Sequence, residues 1–232
     1  MNITPKIMLI LLMLVSCGHQ AQDKKPEDKS CYLLWNQCGL KDVLSYDIFR
    51  QAMTGFNKID SIKNRNIITI IDFSRPSSAE RFFVIDLKNR RLVFKTLVAH
   101  GKNSGDIYAL QFSNTEGSLE SCPGFFKTAE TYNGKHGYSL RLDGLEKGIN
   151  DNARTREIVI HGAGYVNNDF IEKYGRLGRS WGCPALPADI SKKIIDTISN
   201  GTCLFIYTDN GLYRKNSKFS GTRDDHHASF LN

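Results

Sequence analysis

Two residues in this chain have types and settings that suit nucleophilic chemistry. His161 ends the short apolar run Ile158-Val159-Ile160 and is followed at once by Gly162. Cys183 lies in Gly175-Arg176-Leu177-Gly178-Arg179-Ser180-Trp181-Gly182-Cys183, a stretch too punctuated by glycine for a regular element. A thiol attacks a carbonyl as its thiolate. It therefore needs a base to take the proton, and donors to hold the charge that develops on the carbonyl oxygen. His161 is the candidate base. Gly182 lets the main chain come close to a substrate, which makes the amides around Gly182 and Cys183 candidate oxyanion donors. Ser180 can bond near the imidazole or to the loop backbone. Twenty-two residues separate His161 from Cys183, so no helical i,i+4 relation joins them and the tertiary fold must make the contact. On spacing alone such a pair is more often structural than catalytic.

The elements around the pair predict a mainly β (α+β) domain. Runs rich in β-branched and aromatic residues occur at 67–73, 81–87, 91–99, 108–112, 124–128, 138–142, 157–161 and 203–208, separated by Gly, Asn, Ser and Pro clusters. The runs at 81–87 and 91–99, joined through Lys88-Asn89-Arg90, read as a hairpin. Many short strands at close spacing indicate a sandwich or barrel-like sheet, and no βαβ alternation or Gly-rich phosphate loop appears. Apolar residues at helical spacing predict an amphipathic helix over 40–56. A second helix starts at Pro187, with Ile190, Ile194, Ile195 and Ile198 on one face and Asn200-Gly201 as its stop. A shorter helical piece covers 168–174. The reactive loop thus falls between the His161 strand and the isoleucine-faced helix.

The 232-residue chain is long enough for one domain with a sizeable core plus an extension. Its net charge of +7 is spread along the sequence, with no basic block interleaved with aromatics, so nucleic acid is not an expected partner. Such a charge suits an anionic envelope polymer or membrane face. Residues 1–16 read as a signal peptide: Lys6 precedes an apolar run, 7–15, too short for a membrane span. The run ends in Leu14-Val15-Ser16-Cys17, which resembles a bacterial lipobox with Cys17 as the acylated residue, so export and a membrane anchor are expected. Residues 17–39 read as a polar, lipid-anchored tether, 40–210 as the catalytic domain with a β-rich core over 60–209, and 211–232 as an irregular polar tail carrying His226 and His227. Cys31, Cys38, Cys122 and Cys203 allow three disulfide pairings that the sequence leaves open, and Cys203 suits a buried thiol. No two cysteines have the close spacing of a zinc site, and no metal or cofactor is expected.

The segment from His161-Gly162-Ala163 to Gly178-Arg179-Ser180-Trp181-Gly182-Cys183-Pro184-Ala185 resembles the signature of the L,D-transpeptidase catalytic domain family, YkuD-like, in its murein branch. There a His-Gly pair precedes Ser/Thr-x-Gly-Cys. The likeness continues upstream through 99–105, 112–114 and 137–144. It implies a β-rich fold with Cys183 at the base of a cleft, attacking the third residue of a peptidoglycan stem tetrapeptide. A thioester forms as the terminal D-alanine leaves, and an amine acceptor or water resolves it. A monomer is expected. Pro184-Ala185 depart from the arginine that many members carry two residues after the cysteine. Arg176 and Arg179 are then the nearest candidates for the donor carboxylate. Tyr165, Trp181 and His100 are candidates to line the groove. A hydrolase of the same bonds, or a non-catalytic wall-binding lipoprotein, are the alternatives.

Overall fold

Strands form where the sequence turns continuously apolar, because both faces of the resulting sheet are covered. The fold is described for residues 26–220 of a computed structural model. Strands β1 (Ile67–Asp72) and β2 (Phe82–Asp86) are almost wholly buried. β2 and β3 (Arg91–Thr96) make the expected hairpin, and β4 (Gly124–Gly134), β5 (Gly137–Gly144), β6 (Val159–Ala163), β7 (Ala185–Pro187) and β8 (Cys203–Tyr207) complete one eight-stranded sheet. Its order is β3-β2-β1-β8-β4-β5-β6-β7, with parallel pairs at β1–β8 and β6–β7 and antiparallel pairs elsewhere.

The two edges of this sheet meet. Ala99, just beyond β3, bridges Ala185 of β7, with Ala99 N–H donating to Ala185 O at 2.9 Å and Ala185 N–H returning to Ala99 O at 3.3 Å. A second bridge joins Gly101 to Ser180. The sheet is therefore a nearly closed barrel rather than two stacked layers, and closure removes most of the exposed strand edge.

Alternation within single strands sorts the core. Ile71, Phe82, Val84, Phe126, Leu140, Ile160, Leu204 and Ile206 belong to one cluster with Ile194, Ile195 and Ile198 of α4 (Ala188–Ile198). Ile68, Ile70, Phe83, Ile85, Phe125 and Phe205 belong to the other, covered by α1 (Pro26–Gln37) and α2 (Tyr46–Lys58). Gly55 of α2 lies against the Phe125 ring, where an added Cβ would stand 2.1 Å from Cζ. The remaining helices are α3 (Asn168–Tyr174), capped by the Asn167 side chain, and α5 (Gly211–Asn216).

Several expectations change. The tether expected over 17–39 gives way at Pro26 to α1, whose Trp35 Nε1–H donates to Leu44 O at 2.8 Å and whose Cys38 neighbour is buried. The helix expected over 40–56 begins at Tyr46, after a tight turn in which Val43 and Leu44 N–H both donate to Leu40 O. Residues 108–112 are not a strand: Leu110 and Gln111 N–H both donate to Ser104 O, so that segment spends its amides within its own loop. The tail expected from 211 is packed as far as 220, because Tyr213 and Ser217 hydroxyls donate to the buried carboxylate of Glu146. Cys38, Cys122, Cys183 and Cys203 are free thiols, and Cys203 is buried as expected. Residues 1–16, Cys17, His226 and His227 lie outside the described residues.

Candidate active site

The register of β6 and β7 brings the two reactive segments together. His161 stands opposite Ala185, so Cys183 falls two residues ahead of the position facing the histidine, against Val159 and Glu157. Its sulfur accepts from Val159 N–H at 3.5 Å, and the thiol points to Glu157 O, also at 3.5 Å. Burial pushes the Cys183 thiol above its ordinary value, against the Val159 amide and the Arg156 charge, which favour the thiolate. At rest the group is a thiol and needs a base.

His161 has the tautomer a base requires. Nδ1 lies 3.0 Å from Gly162 O, and a carbonyl only accepts, so the proton sits on Nδ1 and Nε2 keeps its lone pair. Burial lowers the His161 pKa, and the facing imidazole of His136 lowers it further against the Gly162 bond, which raises it. A neutral imidazole at neutral pH follows. No hydrogen bond joins His161 to Cys183 among the described residues.

Ser180 shapes the turn instead of touching the imidazole. Its hydroxyl donates to Cys183 O at 2.6 Å and accepts from Gly182 N–H at 3.1 Å. The Gly182 amide is thus spent on Ser180 and is not a free oxyanion donor, which corrects the sequence expectation. The Cys183 amide has no partner among the described residues, and it is the donor left for an oxyanion. Gly182 itself is required by shape: its φ is +125°, and an added Cβ would stand 2.8 Å from Glu120 O. Ser121 Oγ donates to Gly182 O and accepts from Gly101 N–H, both at 3.0 Å, tying the turn to the bridged segment.

The expected groove residues divide. His100 is fully buried, with Nδ1 accepting from Arg81 Nη2 at 2.7 Å and Nε2–H directed at Gly105 O at 3.3 Å. Burial, and then the Arg81 charge, push it down to about 3. It props the 101–105 loop and touches no cleft, which corrects its assignment as a groove residue. Arg176 and Arg179 both engage Asp106, at 2.7 and 3.1 Å, so their charge is already committed in the resting site. Tyr165 packs on Gly178, and burial raises its hydroxyl to about 12, with the nearby Cys183 adding to the rise. Trp181 is exposed, and Lys135 Nζ lies 5.3 Å from its ring centroid.

Sequence reasoning missed the residues that surround the pair. β4 and β5 pair as far as Gly134 and Gly137, so Lys135 and His136 form a two-residue turn. That turn stacks His136 on His161, ring centroids 4.5 Å apart, while Lys135 reaches Trp181. The Gly-Lys-His-Gly pattern was a legible turn signal, but its reach depended on β4 running past 128. Arg156 was missed as well. A separate cleft of about 550 Å³ opens at the far ends of β6 and β7, lined by Glu80, Thr96, Ala163, Asn167 and Asp189, and neither Cys183 nor His161 lines it.

The chain matches the family described as L,D-transpeptidase catalytic domain over residues 40–207. It belongs to that family, in keeping with the nearly closed barrel. Among solved structures it is similar to an L,D-transpeptidase from Mycobacterium smegmatis, with 14% identity and a TM-score of 0.38 over 62% of this chain and 59% of that one. It is also similar to the helical cell shape determining protein Pgp2 (K307A mutant) from Campylobacter jejuni, with 14% identity, TM-score 0.44, and 78% and 61% covered. A third, an L,D-transpeptidase from Stackebrandtia nassauensis, has 15% identity and TM-score 0.37, with 80% and 79% covered. The chain thus spans about three fifths of the mycobacterial protein's length. A search of the curated proteins gave no match.

Proposed function

We propose that the chain is an exported cell-envelope cysteine acyltransferase that acts on peptidoglycan stem peptides. The observation that carries this reading is the Nδ1–H of His161 bound to Gly162 O, with Nε2 unprotonated on the strand beside the Cys183 turn. In the first half-reaction, Nε2 takes the Cys183 thiol proton as sulfur bonds to the carbonyl carbon of the third stem residue. The Cys183 amide donates to the resulting oxyanion. His161 then gives the proton to the amine of the terminal D-alanine as that C–N bond breaks, leaving a thioester. In the second half, an acceptor amine attacks the thioester, His161 takes its proton, and the thiol is restored. If water replaces the amine, the same steps make a hydrolase.

Placement in the envelope rests on residues 1–16 and Cys17, which read as a signal peptide and an acylation site. No helix among the described residues is long and apolar enough to cross a membrane; the anchor this reading invokes is a lipid on Cys17, from the lipobox-like Leu14–Cys17 run. Donor recognition by Arg176 or Arg179 requires the donor carboxylate to displace Asp106, whose carboxylate is largely exposed. Intact mass after exposure to a tetrapeptide muropeptide tests the reading. A thioester adduct absent from Cys183→Ser supports it, and an adduct retained by that variant sinks it. Product masses with and without an amine acceptor separate transferase from hydrolase.

A further inference from the structure

Arg156 stands three residues before β6, half-buried, in the turn that ends at Glu157. The groups its guanidinium bonds are uncharged: three oxygens and the buried Cys122 thiol. Nη1 donates to Ser113 O at 2.5 Å, and Nη2 donates to Glu120 O at 2.6 Å and to Ser118 Oγ at 3.1 Å. No ion pair involves Arg156 among the described residues. It has no ion-pair partner, in contrast to Arg154 two residues earlier, which is shared between Glu130 and Asp143.

The location of that charge gives it a consequence. Glu120 O, which Arg156 holds, is the atom that an added Cβ on Gly182 would meet at 2.8 Å, and Arg156 Nη2 itself lies 3.5 Å from the same point. The guanidinium is thus packed against the residue that immediately precedes the nucleophile. A fork of fixed donors on three acceptors holds the 113–120 segment as a wall behind the Gly182–Cys183 turn. We infer that Arg156 is a positioning residue for Cys183, clamping that wall and holding an unpaired positive charge beside the sulfur. The inference rests on Cys183 being the nucleophile, and it deepens that assignment.

The groups that face Cys183 from the elements around it are Glu157 and Val159 on the approach to and start of β6, His161 within it, Tyr165 after it, Cys122 before β4, and Arg156. Cys122 and Tyr165 are held un-ionised by burial, and the Glu157 carboxylate disfavours a thiolate. Arg156 is the cation among them that opposes both burial and Glu157.

The test uses the full chain and reads the sulfur directly. Iodoacetamide alkylation of Cys183 is followed by peptide mass across pH for the wild type, Arg156→Gln and Arg156→Lys. Gln removes the charge, so alkylation at neutral pH should slow about tenfold, with the midpoint rising by about one unit. Lys keeps the charge but cannot span three acceptors, so it should alkylate within about twofold of the wild type and acylate on muropeptide about tenfold more slowly. Wild-type alkylation by a folded Gln variant overturns the inference. If Gln does not fold, the Lys variant decides, and wild-type acylation by it overturns the clamp. Alkylation needs no peptidoglycan, so a chain that never acylates on muropeptide but shows the Gln shift keeps Arg156 in this role while the proposed function fails.

Discussion

The Ser180 hydroxyl spans the turn that carries Cys183, and Ser180→Ala removes it while leaving the chain otherwise intact. Its two bonds, from Gly182 N–H at 3.1 Å and to Cys183 O at 2.6 Å, lie at a site only 5% exposed, where water does not readily replace the oxygen. At about 0.5–1.5 kcal/mol net for each bond, the substitution costs about 1–3 kcal/mol. For a domain of this size each kcal/mol lowers the melting temperature by roughly 2–4 °C, so a fall of roughly 2–12 °C is expected in a calorimetric scan. The same bonds fix the direction of the Cys183 amide, which has no partner among the described residues and is the oxyanion donor of the proposed reaction. If the cost appears in full in the acylation barrier, covalent labelling of Cys183 by a carbapenem slows by roughly 5- to 150-fold. Ser180→Thr keeps the oxygen and should recover most of that rate. An alanine variant that melts and labels like the wild type would refute the claim that Ser180 acts through the turn.

Gly182→Ala puts a side chain at φ +125° and 2.8 Å from Glu120 O, so about 1–3 kcal/mol of stability and most of the labelling should be lost together; a stable, active variant would show that the turn relaxes freely. Because burial and the facing His136 lower His161 below the ordinary 6.5, the acidic limb of the labelling rate should lie below that pH, with activity present above it and lost as the pH falls through the His161 pKa. His136→Ala should move this limb upward, and a wild-type limb at about 7 would contradict the assignment. Burial raises Glu146, so its proton favours the folded state. That stabilisation is fully present below the unfolded carboxyl value of about 4.3 and is lost as the pH rises through the folded one. Glu146→Gln should flatten this slope in urea titrations at several pH values, and an unchanged slope would place the titration elsewhere.

The strands that were legible in the sequence are the ones whose burial is complete. Ile67-Ile68-Thr69-Ile70-Ile71 and Cys203-Leu204-Phe205-Ile206 face apolar clusters on both sides, so composition alone marks them. β7 was not legible, because three residues that follow one proline and end on another carry no periodicity; Ala185-Leu186-Pro187 is a strand through its register with β6. The run at 108–112 shows the opposite error. Its residues suit a strand, but Ser104 O accepts two of its amides and Leu110 is left 70% exposed. In the site, His161 and Cys183 were visible by residue type and motif. Arg156 and His136 were not: an arginine bonded to carbonyls leaves no local pattern, and the Gly134–Gly137 turn signal does not tell what its tip will face; only the positions of strands β4 to β6 give them a role.

The placement of the chemistry follows from how the barrel closes. Between Thr96 and Gly124 the chain has no regular strand, yet it must join the β3 edge to the β7 edge. It does so through isolated bridges, Ala99 to Ala185 and Gly101 to Ser180, together with Lys102 N–H donating to Ser180 O at 2.8 Å. A seam made this way fixes the backbone of the turn through single bridges, with Ala99, Gly101, Ser180, Gly182 and Ala185 all buried around it. Arg81 supports the seam from inside, fully buried, donating to Val98 O and His100 and lying over the Phe73 ring. Removing one partner of such a buried charged network costs more than the bonds themselves are worth. Arg81→Met should therefore disturb the 101–105 loop and, through Gly101 and Ser180, slow Cys183 labelling although Arg81 touches no substrate. Labelling at the wild-type rate in a folded Arg81→Met variant would show that the seam does not transmit to the nucleophile.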